Sequence, residues 1–394
     1  MTQSATLSSH LQRLQQRALI IGGGGLGLCL VGVFLHLEQF FRSYLLAYLF
    51  WLGLALGCLA VVMLHHLVQG AWGAVIQRVL EAGTRTLPLL ALLVVPLLFG
   101  LPHLYSWARP QVVASDALLQ HKSLYLNVPF FVLRTGVFFV LWIGLAYRLN
   151  TWSLHHDQVQ DRPTERALRR RLQLLSAPGL VLYGITVTFA AVDWMMSLEP
   201  HWSSTIYGIV CIVGQVLATL AFVIVAMALL VDFEPFASVL APAHVHDLGN
   251  LLLAFVMLWA YIAFSQFLII WSGNLPEEIP WYMHRTQGGW QWIGLSLLVF
   301  HFLLPFLLLL SRGTKRRVQT LATVALTILV MYLVELFWLV MPAFHPVGLY
   351  LHWLDVVAPL GIGGLWIAVF VWQLQRRPLL PLHDPRLQGA LKHG

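Results

Sequence analysis

The chain has 394 residues, 59% of them hydrophobic and 10% charged, with a mean hydropathy of +0.78. A soluble domain carries about 25% charged residues, so this composition excludes a water-facing globule and predicts an integral membrane protein. The net charge of +7 does not point to nucleic acid, because the basic residues fall in short stretches between apolar runs, where the positive-inside rule puts them.

Ten runs come close to the 20 or so apolar residues that cross a bilayer. In chain order they cover 18–36, 44–67, 86–103, 128–147, 174–198, 205–231, 249–272, 290–311, 318–341 and 354–374. The expected fold is an all-α polytopic membrane protein, one integral membrane domain over 1–394. The polar start "MTQSATLSSHLQRLQQR" leads into the first run without a small-residue cleavage site, so no signal peptide is expected.

Within the first run, "GGGGLG" (22–27) matches the dinucleotide-loop letters through Gly22, Gly24 and Gly27. That loop needs a strand before it and a helix after it. Glycines inside a lipid-spanning helix predict close helix packing instead, with Gly23 and Gly27 at four-residue spacing. Between the second and third runs, "AWGAVIQRVLEAGTRT" reads as a short amphipathic helix in the membrane interface. Pro88, Pro96 and Pro102 punctuate the third run, and Arg134 lies inside the fourth. Cys29, Cys58 and Cys211 are far apart in apolar runs and read as packing residues.

The fifth run holds an acid. On a helix Tyr183, Thr186, Ala190, Asp193 and Ser197 form one narrow polar and small stripe. An acid at a helix centre costs about 2.5–3.5 kcal/mol on insertion scales and turns into a bundle or a wet cavity. The ninth run holds a second, Glu335, seven residues before Pro342 as Asp193 is seven before Pro200. His201 and His345 follow these prolines, and Thr320, Thr323 and Thr327 lie loosely on the Glu335 side. This rhyme predicts parallel repeats, with 44–198 and 205–341 as two four-helix bundles.

Arg134 is the natural counter-charge, at a depth like that of Asp193 and Glu335. Toward the other side lie Tyr183, Thr186, Gln215, Thr219 and Thr320, with Asp232, Glu234, His246 and Asp247 at the mouth. The proton-relay candidates are therefore Asp193, Glu335, Arg134, His301, Tyr183, Thr186, Thr327 and Asp247. Haem ligation would need paired histidines on facing helices. His65, His66 and His301 are the candidates, and the sequence offers His301 no facing partner, so a core or relay histidine is the better expectation.

Lysine and arginine set the orientation. Eighteen of the 23, Arg386 and Lys392 among them, fall on the side of the two ends; four (Arg42, Arg109, Lys122, Arg285) fall on the other, leaving Arg134. Both termini are expected in the cytoplasm. The connections between runs, each under about thirty residues, leave no extramembrane domain for a nucleotide or redox cofactor.

The stretches "VDWMMSLEPHWSSTIYG" (192–208) and "LLLAFVMLWAYIAFSQFLIIWSGNLPEEIPWY" (251–282), with the "RTQGGWQW" that follows, resemble the cofactorless ten-span membrane subunit of alternative complex III. That complex is a quinol:cytochrome c oxidoreductase whose membrane subunits are related to the NrfD and polysulfide-reductase anchors. The resemblance is best over 175–345 and rests on topology alone before residue 170. It implies a fold in which the first and tenth helices are peripheral to the two bundles. It implies a bacterial cytoplasmic membrane protein that binds no metal or haem, provides a proton path and is open to quinone or quinol. It implies as partners a paralogous ten-helix membrane protein with the quinol pocket, an iron–sulfur molybdopterin-oxidoreductase-like subunit, c-type cytochrome subunits carrying haem c, and small membrane subunits. The motif positions carried over are Asp193, Trp194, Glu199, His201, Trp202, Ser203, Tyr207, Tyr261, Ser265, Gln266, Pro276, Glu277 and Glu278, none with an assigned catalytic role. Two other readings use the same residues: a stand-alone proton-coupled transporter, and a structural anchor whose acids only pair helices.

Overall fold

The computed structural model describes residues 2–159 and 161–381, and all regular structure among them is helical. Ten helices are long and apolar enough to cross a membrane, as the hydropathy predicts. They are span 1 (Leu7–Leu35), span 2 (Leu37–Val68), span 3 (Trp72–Phe99), span 4 (Val128–Gln158), span 5 (Arg162–Leu198), span 6 (Tyr207–Leu230), span 7 (Pro242–Gly273), span 8 (Trp290–Leu310), span 9 (Val318–Ala343) and span 10 (Leu354–Gln375). Several overshoot their apolar runs, since a helical turn in water keeps its backbone hydrogen bonds, and they stop at caps. Asp161 accepts from the Thr164 N–H at 2.9 Å before span 5, and Asn127 from the Phe130 N–H at 2.9 Å before span 4. Arg386 and Lys392, two of the charges that set the expected orientation, lie outside the described residues.

Span 2 is the most enclosed, with 94% of its apolar window inside the molecule, and span 6 follows at 72%. These two pack on each other in the middle. Span 2 also meets spans 3, 5 and 10, span 6 meets spans 5, 7 and 9, and span 1 lies along span 10. The loops after odd-numbered spans gather on one face, called the far face below, and the two described ends lie at the opposite, near face.

Two sequence expectations about packing are corrected. Gly23 and Gly27 have nothing within 4 Å of an added Cβ. The close approach of spans 1 and 10 is made by the other side of the same run. A Cβ on Gly25 would lie 2.6 Å from the Gly361 Cα, and one on Gly22 would lie 2.7 Å from the Leu365 N. Both spacings bring small residues together, and only the partner's position tells which face it covers. Gly25→Leu should therefore destabilise the protein by roughly 1–3 kcal/mol, the usual cost of overpacking. Gly23→Leu should be near neutral in the same thermal-unfolding measurement in detergent.

The second correction concerns "AWGAVIQRVLEAGTRT". Its helix, Ala71–Thr84, is not laid on the outside of the molecule; its later turns are enclosed and pack on spans 2, 4, 6, 7 and 10. Val75, Ile76, Val79 and Leu80 are fully buried, and so very nearly are Arg78 and Glu81. It opens span 3, which continues through short helical turns, Leu87–Leu93 and Val95–Phe99, each with a proline in its first turn. The proline there gives up an N–H that has no intrahelical partner in any case.

Candidate functional site

The stripe on span 5 faces inward: Tyr183, Thr186, Ala190, Asp193 and Ser197 are all buried. Arg134 meets Asp193 in a two-point pair, Nε to Oδ2 at 2.8 Å and Nη2 to Oδ1 at 2.9 Å. Its remaining Nη1 donates to the Tyr125 carbonyl at 3.0 Å, and the guanidinium lies 3.9 Å from the Tyr125 ring centre and 4.3 Å from that of Phe130. A planar fork that answers both carboxylate oxygens while stacked on aromatic faces is the arrangement arginine suits best. Asp193 is thus neutralised where it sits, and the pair fastens span 4 to span 5.

Glu335 is held differently. The Trp259 indole donates to Oε1 at 2.7 Å, while Oε2 is buried with no hydrogen-bond partner. Among the described residues, no cation pairs with the carboxyl group. The residue borders a small cavity, about 20 Å³ of room for water centres, together with Tyr332, Gln215, Cys211 and Met195. That is space for about one water molecule. Gly214 makes the space, since a Cβ there would lie 3.3 Å from Oε2 and 3.2 Å from the Tyr332 ring. Across the cavity Gln215 accepts from the Tyr183 hydroxyl at 2.8 Å. Tyr332, Gln215 and Tyr183 thus carry polar atoms from Glu335 on span 9 through span 6 to span 5.

Behind Trp259 sits His301, fully buried, its ring centre 4.3 Å from that of the indole. It lies in a π-helical turn, Leu297–Leu303. Pro305, four residues on, cannot donate to the His301 carbonyl and would crowd it in a regular α-helix, and the wider turn relieves that contact. Among the described residues, no group of three or more His, Cys, Asp or Glu side chains is arranged to hold a metal ion. His65 lies against Trp72 and beside His66, close to the near face.

Other candidates separate from this centre. Thr186 accepts from the Trp142 indole at 2.9 Å and donates to the Leu182 carbonyl at 2.7 Å. Thr327 bonds back to the Thr323 carbonyl at 3.1 Å, and Thr320 and Thr323 are exposed. The expectation that these threonines share a side with Glu335 is therefore corrected: eight residues at 100° each turn Thr327 about 80° from Glu335, and the buried face runs through Ile328, Met331 and Tyr332. Asp247 is exposed at the start of span 7, beside His246 at 3.9 Å.

The motif positions divide as well. Glu199, Trp202 and Tyr207 assemble on the far face around Arg285, which the sequence showed only as a loop charge. Arg285 is fully buried, 2.8 Å from Glu199 and stacked 3.6 Å from the Trp281 ring centre, while Trp202 stacks on Trp281 at 4.7 Å. Its other donors reach the Trp338 carbonyl at 3.2 Å and the Leu339 carbonyl at 2.9 Å. Pro342 has no N–H for the Trp338 carbonyl, so the arginine serves an acceptor that the end of span 9 leaves open. The proline four residues past a tryptophan was the available signal, but nothing in the sequence said which cation would answer it. Trp194 is buried against Trp142 and Phe139, and His201 pairs with Asp116 at 2.8 Å on the surface. Ser203, Gln266 and Glu278 line a separate cleft. Tyr261 and Glu277 are exposed, as is Pro276, and Ser265 is half-buried.

A third polar centre, missed in the sequence, lies near the opposite face. Arg78 bridges Glu81 and Asp157, Ser153 donates to Glu81 at 2.5 Å, Gln77 donates to both, and Arg377 approaches Glu81 at 3.6 Å. Its ions are mutually paired, which makes it a staple between span 3, span 4 and the segment that follows span 10.

Fold and site together define a multi-pass membrane protein of ten spans, with a cation-paired acid and a cation-free acid among its helices. No family model matches the chain, and no curated protein matches it.

Proposed function

We propose that this chain is the cofactorless ten-span membrane subunit of an alternative complex III, in a bacterial cytoplasmic membrane. It works there beside a paralogous quinol-binding membrane protein, an iron–sulfur protein and c-type cytochromes. Its task in that assembly is to move protons while partners hold the redox cofactors. The assignment rests on the two stretches at 192–208 and 251–282, and the ten-span architecture is compatible with it. Within this proposal spans 2–5 and 6–9 form two related halves, with spans 2 and 6 packed on each other between them. The excess of lysine and arginine on the near face supports cytoplasmic ends.

One observation carries the proton role: the Glu335 carboxyl, buried without a cation, has one oxygen turned to a water-sized cavity that Tyr332 and Gln215 also reach. A carboxyl group there can take a proton from a water molecule and return it without breaking an ion pair. Asp193 would first have to leave Arg134, so within this proposal it holds helices and Glu335 is the carrier.

Affinity purification of the tagged chain from its native membrane tests the assembly. It should bring down c-type cytochromes and an iron–sulfur protein in fixed ratio, with haem absorbance that disappears when the chain is stripped from them. Recovery of the chain alone, with proton-coupled solute uptake in vesicles, would establish the transporter reading instead.

A further inference from the structure

On the far face, between the ends of spans 5, 6 and 7, lies a cleft of about 410 Å³ that is separate from the Glu335 cavity. Its size is that of a small-molecule site. Its walls combine apolar Val192, Ile269 and Ile270 with Ser203, Gln266 and Glu278. Gln266 is 3% exposed, and its amide nitrogen has no hydrogen-bond partner. A buried donor left unanswered is costly, so its presence on the wall of a cleft points to an occupant that supplies an acceptor. Glu278, half-buried in the connection after span 7, adds a carboxylate, and among the described residues no basic side chain lines this cleft. A neighbouring hollow of about 370 Å³ shares Val192, Met196 and Ser203 with it and has Lys122 on its wall.

We infer that this cleft seats a phospholipid with a primary-ammonium head group. The ammonium meets Glu278, an ester carbonyl accepts from Gln266, the phosphate lies toward Ser203 and the hollow of Lys122, and an acyl chain follows Ile269 into the bilayer. The order of charges decides the class. A carboxylate on one side of Ser203 and an ammonium on the other complement a zwitterion, whereas an anionic lipid would place uncompensated charge beside Glu278. A trimethylammonium head has the same charge but no N–H to donate. The site lies at the end of the helices, where head groups reside, and stands on this geometry without reference to the proton role.

Native mass spectrometry of the purified protein tests this, using equal amounts of phosphatidylethanolamine, phosphatidylcholine and phosphatidylglycerol with identical acyl chains, and a quinol in a separate arm. Phosphatidylethanolamine should be retained over each of the other two by roughly fivefold or more. Glu278→Gln should level phosphatidylethanolamine with phosphatidylcholine, and Gln266→Leu should weaken retention of all three. Should Gln266→Leu fail to fold, as loss of helical circular dichroism would show, Glu278→Gln decides the matter, since its side chain is half-exposed and holds no ion pair in the structure. Equal retention of the three lipids, an ethanolamine preference that survives Glu278→Gln, or displacement of bound lipid by quinol would overturn the inference.

Discussion

Arg134→Leu is expected to destabilise the protein by about 3–5 kcal/mol, the cost of breaking a buried pair and leaving one charge without its partner. Asp193 is completely enclosed and both of its oxygens are answered by this one guanidinium. Removing the cation leaves the carboxylate with neither water nor a second donor of comparable strength. Asp193→Leu should cost a similar amount for the mirror reason, because Arg134 retains only the Tyr125 carbonyl and two aromatic faces. The double variant, Arg134→Leu with Asp193→Leu, should recover most of either loss, since two apolar side chains of similar volume need no solvation. Denaturant titration of the four proteins in mixed micelles gives the coupling energy directly. A single-variant cost below about 1 kcal/mol, the value of an exposed pair, would show that the pair does not hold spans 4 and 5 together. The cycle also bears on mechanism. A large coupling identifies Asp193 as a fixed counter-ion, which leaves Glu335 as the acid able to change its protonation state.

Much of this arrangement was legible in the residues because a bilayer simplifies the problem. Length and hydropathy place ten spans, and the high cost of a lone charge in lipid makes Arg134 a natural counter-charge for an acid at its depth, while only the structure shows that Asp193 and not Glu335 is the acid it meets. Periodicity failed where it was asked which face looks inward. Gln77, Arg78 and Glu81 form a polar face on an otherwise apolar helix, and such a face suggests a helix lying at the water surface. In the structure that face is turned into the protein, where Asp157, Ser153 and Arg377 complete its pairing. Those partners come from span 4 and from the segment just after span 10, remote in sequence, so no local pattern announces them. The same ambiguity misassigned the glycines of span 1, where Gly22 and Gly25 rather than Gly23 and Gly27 meet span 10. Thr327 failed for a simpler reason, since residues eight apart on a helix do not share a line. The Glu335 cavity was half-readable. The acid and Gln215 were both visible, but Gly214, the residue that leaves room for a water molecule, has no sequence signature inside an apolar run.

Glu335→Gln should lower proton translocation by the assembled complex by about tenfold or more, the scale on which loss of a positioned proton-transfer group is felt, while the complex still assembles. Glutamine keeps the length and a carbonyl oxygen that can accept from the Trp259 indole of span 7, so the packing of span 9 against spans 6 and 8 has no reason to change. What it removes is a group that can bind and release a proton beside the cavity. Glu335→Asp separates chemistry from shape: the shorter acid retracts from Trp259 but keeps its exchangeable proton, and should retain more translocation than glutamine does. Reconstituted vesicles with a pH-sensitive dye, followed together with electron transfer to cytochrome c, measure both quantities on one preparation. A proton yield per electron unchanged in Glu335→Gln would remove Glu335 from the path. A yield lost equally in Glu335→Asp and Glu335→Gln, with assembly impaired in both, would instead make Glu335 a packing residue. The pattern expected from the geometry is intact assembly, partial function with aspartate and a near-complete loss with glutamine, because aspartate gives up the Trp259 contact but keeps a proton-binding group, and glutamine keeps the contact but loses that group at a cavity that admits a single water molecule.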